Sequence, residues 1–269
     1  KWHELRIAPL MPIANISVKY WANLITSLLS SQWSLIASTT LLMEIVHEFY
    51  KSESLTWDKL VGKAVSFKGE SHRSDAYKDV IVRNLKSVYY AFGEVINASE
   101  SNVIDLMTRE KGCHIITTDG LIPEHASLLS AFFIIRDYEN RRLNEELQNN
   151  LVCYILDDSM AILKEQSLFQ TEGTTINPLN TIAFMGRSLG MSLIISAQNF
   201  SMISSFFKNN CDTIVACNSS GEDCYSLGRH MNLNEEQTRN ISTLKIGEMV
   251  VLAKSTWSKA VKGIYPLLE

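Results

Sequence analysis

The sequence predicts an α/β fold built on a mostly parallel sheet flanked by helices, and three observations carry that expectation. From residue 112 onward, short and almost continuously apolar runs alternate with helical stretches. The runs have the length and aliphatic character of strands buried on both faces, not the strict alternation of a half-wet sheet. The 269 residues are 46% hydrophobic and 20% charged, which excludes a disordered tail or a coiled coil and supplies apolar material for one large core or two modest ones.

Taken in order, residues 5–8 read as a strand running into Pro9. Helical spacing then predicts helices over 18–29 and 38–50, with Ser38 or Thr39 capping the second. The polar stretch 51–73 is weakly periodic and reads as loop with short helical turns. A helix over 77–92 ends at Gly93. Then come a strand at 112–120 and a helix at 124–148 whose first half is apolar and second half charged. Strands at 151–158, 191–198 and 212–218 follow, with helices at 178–189 and 203–208 between them. Helices at 222–227 and 235–244 lead to strands at 248–254 and 259–266, a pair able to form an antiparallel edge. Residues 1–110 are thus expected to be largely helical, and 111–269 to form the strand-bearing core.

The formal net charge of −4 denies the chain a global basic field. Contact with nucleic acid would need a local patch or a pore shared by several subunits. The five cysteines form an odd set without a CxxC pair. Buried free thiols are the ordinary reading for Cys153, Cys211 and Cys217 in strand-like text, and a reducing, cytoplasmic compartment is expected. No apolar stretch reaches the ~18 residues of a membrane span, and the opening residues do not read as a signal peptide. The chain begins without Met on strand-like text, so the expectation is a piece of something longer.

In a parallel sheet, ligands sit beyond the carboxyl ends of the strands. Two acids, Asp157 and Asp158, stand at such an end after the apolar run 152–156. A magnesium-nucleotide would compensate them: Asp157 can hold Mg2+ through water while Asp158 orients and deprotonates the attacking water. Two aspartates can equally just open a loop. The neighbouring strand ends in Ser196-Ala197-Gln198, and the Gln198 amide can bond both water and a phosphate oxygen. Arg187 lies eleven residues before it at a helix end. It can meet the helix dipole and nothing more, or reach a phosphate in a neighbouring subunit.

These residues carry a resemblance. ILDDS at 155–159, GRSLGMSLIISAQNF at 186–200, NNCDTIVACN at 209–218 and LKIGEMVVL at 244–252 resemble the HerA/FtsK branch of P-loop ATPases, which includes DNA translocases and conjugative coupling proteins. RIAPLMP at 6–12 and CHIITTDGL at 113–121 fit more loosely. The resemblance spans about 6–266, with its specific part at 151–252. It implies a RecA-like P-loop NTPase core, with residues 111–269 carrying the Walker B strand, arginine finger and sensor glutamine. It makes Asp157 the magnesium residue, Asp158 catalytic, Gln198 the sensor and Arg187 a finger toward the adjacent subunit. It also implies ATP and Mg2+ as cofactors, a hexameric ring as assembly and double-stranded DNA as cargo.

Two features depart from the family. Asp158 is one methylene shorter than the usual glutamate. No GxxxxGK[ST] phosphate loop is present, and Gly62-Lys63-Ala64 lacks both the earlier glycine and the hydroxyl, so this piece alone should bind ATP poorly. The function expected is an ATP-driven DNA translocase. The alternative is a weakly hydrolysing scaffold or regulatory subunit assembling with a nuclease or other effector. Asp119, Arg229, His114 and His125 have ordinary turn, cap or surface readings. Trp21, Trp33, Tyr89, Tyr90 and Phe92 are expected in the core, and the mixed-charge run 136–147 as a solvated face or subunit contact.

Overall fold

The computed structural model describes residues 1–68, 72–98, 112–157, 179, 182 and 185–265. They belong to two compact units, the first comprising Lys1–Ile155 and Gln166–Ile194 and the second Leu156–Glu165 and Ile195–Glu269. Asp158 and residues 178, 180, 181, 183 and 184 of the helix expected at 178–189 lie outside the described residues, and its last four residues form a 3-10 turn, Gly186–Leu189.

The first unit is helical around a core of large side chains. Helix α1 (Val18–Gln32) starts where Ser17 Oγ accepts from Tyr20 N, and it buries Trp21, Ala22, Ile25, Leu28 and Leu29. Helix α2 (Thr39–Phe49) buries Leu42, Ile45, Val46 and Phe49, the 3–4 residue spacing of one helical face. Helix α3 (Trp57–Ser66) occupies a stretch expected to be loop. Only Trp57, Leu60 and Ala64 face inward, and the Trp57 indole donates to Leu85 O at 2.9 Å in helix α4 (His72–Phe92). A large anchor thus forms a helix where periodicity is thin. Helix α4 ends at Gly93, which takes φ +51°.

Two expected strands do not form. Residues 5–8 are buried in part but lack a ladder; Ile7 N bonds Val95 O at 2.7 Å and Pro9 offers no donor. Residues 112–120 are largely exposed, with Ile115 at 80%, and Thr117 O meets Trp2 N. Strand-like composition without a partner strand remains coil. Among the expected core aromatics, Trp21 and Phe92 are buried while Tyr90 is 79% exposed.

Helix α5 (Pro123–Leu143) opens on proline at its first turn and is buried nearly all round, from Leu128 through Arg141. An extended Asn144 breaks the long helix expected over 124–148, and α6 (Glu145–Gln148) follows. Strands β1 (Val152–Leu156) and β2 (Met191–Ile195) pair with each other, as expected. Val152 N donates to Gly190 O and Ser196 N to Leu156 O, both at 2.9 Å, so the register advances in the same sense on both strands and the pair is parallel. Tyr154 and Met191 are buried, whereas Ile155 and Ile194 are 68% and 55% exposed. The expectation of burial on both faces is therefore corrected: among the described residues, this pair shows one packed face. Cys153 sits on the exposed side and Cys217 is exposed too, while Cys211 is half-buried; all three had been expected inside.

The second unit joins helices α7 (Ser205–Asn210), α8 (Gly221–His230) and α9 (Glu235–Ile241) to strands β3 (Thr213–Ala216), β4 (Glu248–Ala253) and β5 (Val261–Ile264). The β4–β5 pair is antiparallel, as expected, with Glu248 opposite Ile264. Strand β3, expected in a parallel sheet, also runs antiparallel to β4, with Thr213 opposite Ala253 and Ala216 opposite Val250. The connection holds two helices, α8 and α9, so the chain re-enters the sheet in the opposite sense. Ile214, Ala216, Cys224, Leu227, Met231, Ile241, Leu244 and Leu252 form its core. Asn234 and Gln237 close a reciprocal cap on α9, with bonds of 3.0 and 2.8 Å.

Helices α8 and α9 touch through Gly228, where an added Cβ would overlap Thr238 Oγ1 and lie 2.7 Å from its Cγ2. Gly228→Ala is expected to lower stability by about 1–3 kcal/mol, and adding Thr238→Ala should restore part of the loss, both read from urea denaturation.

Candidate functional site

The parallel register of β1 and β2 places their carboxyl ends side by side. The Ser196 N to Leu156 O bond, 2.9 Å long, fixes the last residue of β1 beside the first residue past β2. Asp157 follows at once on one chain and Gln198 two residues later on the other; both side chains are exposed and both belong to the second unit. Of the four residues singled out from sequence, the structure brings these two to one sheet edge, while Asp158 is outside the described residues.

Arg187 belongs to the first unit, in a 3-10 turn (Gly186–Leu189). Gly190 N closes that turn onto Arg187 O at 3.2 Å, and Ser188 Oγ donates to Met185 O at 2.8 Å. The Arg187 side chain is exposed. Gly190 ends the turn at φ +72°, and a Cβ there would lie 2.5 Å from Gln148 O. Only glycine satisfies both the backbone angle and the close approach.

A buried polar network supports this region, and it corrects the expectation of a solvated face at Asp137, Glu139 and Arg141, while residues 142–145 are exposed. Arg141, 5% exposed, donates from Nε to Asp137 Oδ2 at 2.8 Å. Its Nη1 reaches Leu147 O, Asn150 O and Leu189 O at 2.7, 2.6 and 3.4 Å. Tyr154 Oη of β1 donates to the same Asp137 oxygen at 2.7 Å. Burial, then the Asp137 charge, pushes the Tyr154 phenol well above its ordinary value, so it stays a donor. Nearby, the buried Glu139 accepts from Tyr20 Oη at 2.7 Å and from Arg142 Nε at 2.8 Å. Burial and that carboxylate raise Tyr20 to about 12.

One guanidinium therefore ties α5, α6, the entry to β1 and the turn that carries Arg187. The i,i+4 spacing of Asp137 and Arg141 was visible in the sequence, yet the same spacing marks exposed helix pairs. What separates the cases is the apolar text on every side of the α5 helix, from Leu128 to Ile135.

Among the described residues, no group of three or more His, Cys, Asp or Glu could hold a metal ion. Mg2+ is commonly held by one or two carboxylates together with water and substrate phosphates, and Asp157 is an exposed carboxylate at the end of β1. Asp119 lies in a turn, its carbonyl accepting from the Trp2 indole at 3.0 Å, and Arg229 lies in the last turn of α8. No described helix is long and apolar enough to cross a membrane.

No protein-family model and no curated protein sequence matches the chain. Solved structures do. VirB4 of Thermoanaerobacter pseudethanolicus superposes with a TM-score of 0.59 at 13% identity, covering 97% of this chain and 74% of that one. The bacterial conjugative coupling protein TrwB gives 0.55 at 12% identity, covering 97% of this chain and 67% of that one. The chain shares the fold of VirB4 and TrwB. At 12–13% identity what this chain shares with the two is an α/β fold. The described sheets are small and both parallel and antiparallel, where a mostly parallel RecA-like sheet was expected. A looser match is the genome packaging NTPase B204 of Sulfolobus turreted icosahedral virus 2 in complex with ATP-gammaS, at a TM-score of 0.41, 11% identity, and 64% and 74% coverage.

Arg141→Ala would leave the buried Asp137 carboxylate without its counter-charge, though still accepting from Tyr154, and would withdraw a donor from three carbonyls. A loss of about 3–5 kcal/mol in thermal or urea unfolding is expected, and the paired change Asp137→Asn with Arg141→Met should cost less than Arg141→Ala alone.

Proposed function

We propose that this chain is the core of a motor ATPase that forms rings and couples ATP hydrolysis to movement of double-stranded DNA. The observation that supports it most is the parallel pairing that sets Asp157 and Gln198 on one sheet edge, in a chain sharing the fold of VirB4 and a conjugative coupling protein. Residues 111–269 form the catalytic part and 1–110 a helical insertion.

In this reading Asp157 would hold Mg2+, which would supply positive charge to offset that of the nucleotide's phosphates. Asp158 accepts the proton of the attacking water as its oxygen bonds the γ-phosphorus and the bridging bond to ADP breaks. Gln198 offers its amide to that water and to a phosphate oxygen, and so distinguishes ATP from ADP. Arg187 serves the neighbouring subunit: an exposed, always-charged fork on a turn fixed by Gly190 and Arg141 suits the charge of a transferring phosphoryl group. An acidic chain can still act on DNA in a ring, because only the channel need be positive.

The 269 residues contain no GxxxxGK[ST], so the site needs phosphate-binding amides and a lysine that this sequence does not supply. That, with Asp158 in place of glutamate, favours a second reading: an ATPase-like scaffold that hydrolyses little and assembles with a nuclease or other effector.

ATP turnover by the complete natural protein, with and without double-stranded DNA, separates the two. The motor reading expects stimulation by DNA and a fall of at least ~100-fold in Asp157→Ala, with circular dichroism unchanged. Turnover untouched by Asp157→Ala contradicts the site. A well-folded protein that turns over no ATP yet retains a partner establishes the scaffold.

A further inference from the structure

We propose that the turn joining β4 to β5 is a contact for a nucleic-acid strand, with Lys254 and Lys259 on its phosphates and Trp257 against an unstacked base. The proposal rests on the motor reading and adds to its double-stranded cargo an unpaired strand, held by the second unit at this turn.

Three properties of the turn support it. The first is charge. Residues 249–265 hold three lysines, Lys254, Lys259 and Lys262, and no Asp or Glu, in a chain whose net charge is −4. Lys262 is paired with Glu248 at 2.9 Å. Lys254 reaches only a carbonyl, Asn209 O at 3.5 Å, and no acid pairs with Lys259 among the described residues. The nearby Asp212 carboxylate is engaged by the turn itself, accepting from Ser255 N at 3.0 Å, Ser255 Oγ at 2.9 Å and Thr213 Oγ1 at 3.2 Å.

The second is an indole in the wrong place for packing. Every residue from 254 to 259 is exposed, and Trp257 keeps 44% of its surface in water. Trp is large and normally well covered, so an exposed one amid lysines calls for a partner with a flat apolar face and negative charge. Single strands offer both at each nucleotide. A protein partner fits less well, because lysine is depleted where aromatic residues anchor protein interfaces.

The third is pre-organisation. Lys254 N bonds Asp212 O at 2.9 Å, and Thr256 N and Trp257 N both bond Ala253 O, at 2.9 and 2.7 Å. The backbone that presents the indole is thus pinned by five bonds counting the two from Ser255, which lowers the ordering cost of binding.

The test is fluorescence anisotropy of a labelled oligothymidine strand and of a matched duplex, titrated with the complete protein over a range of salt. Trp257→Ala should weaken single-strand binding about 5- to 100-fold. Lys254→Ala with Lys259→Ala should weaken both DNAs and lower the single-strand salt slope by about 0.7 per lysine. Lys19→Ala with Lys59→Ala, an equal charge change at exposed positions of the first unit, should do neither. Basal ATP turnover without DNA should be unchanged in all. If the turn variants bind like wild type, or the control variant loses as much, the surface is overturned and the motor reading stands. Turn variants that keep DNA affinity but alter self-association mark a subunit contact and also overturn it. If the wild type binds neither DNA at low salt, both proposals fail.

Discussion

A single buried guanidinium organises the part of this molecule on which the rest depends. Arg141 gives its Nε to Asp137 and its Nη1 to carbonyls at the end of α6, before β1 and at the end of the Arg187 turn. Leu147 O also accepts from Asn150 N at 3.1 Å; a buried carbonyl without a donor is costly, and the guanidinium supplies one donor group to all three. A planar fork of donors is the one side chain able to serve them together, and Lys could not replace it. Asp137 offsets the charge and also receives Tyr154, which locks the packed face of β1 to the same helix. Gly190 completes the arrangement by letting backbone approach backbone where any side chain would collide with Gln148.

The proposed site rests on what that scaffold fixes. The parallel register of β1 and β2 begins at the Gly190 to Val152 bond and ends at the Leu156 to Ser196 bond. Asp157 and Gln198, just past the two strand ends, therefore leave the sheet at the same edge, and the proposed phosphate site rests on that placement. Arg187 is held at the opposite end of β2, on a turn with little freedom. The second unit is organised differently, by antiparallel pairing and by the close meeting of α8 and α9 at Gly228.

Much of this was legible in the sequence, for stated reasons. Strongly periodic helices such as α1, α2 and α4 and the apolar runs of β1, β2, β4 and β5 declare themselves through local pattern. The segments at 5–8 and 112–120 carry the same apolar character, but a strand also needs a neighbour, and that is not a local property. Helix α3 shows the converse: Trp57 and two small contacts suffice once α4 is present to receive them. In the same way β3 reads as one more parallel strand until the two-helix connection reverses it. The candidate site was found through residue types at strand ends. Its support at Asp137, Arg141 and Tyr154 was not, because an i,i+4 charge pair looks the same whether water or protein surrounds it.

In the proposed mechanism a working site is shared between subunits, with Asp157 supplied by one chain and Arg187 by the next. The most direct measurement mixes two inactive variants of the complete protein, Asp157→Ala and Arg187→Ala, under conditions that allow subunits to exchange. If sites are shared, an equal mixture pairs two intact halves at roughly a quarter of its interfaces, and DNA-stimulated turnover should rise to a corresponding share of the wild-type rate. A mixture no more active than either variant alone, in rings shown to have exchanged subunits, would contradict the account.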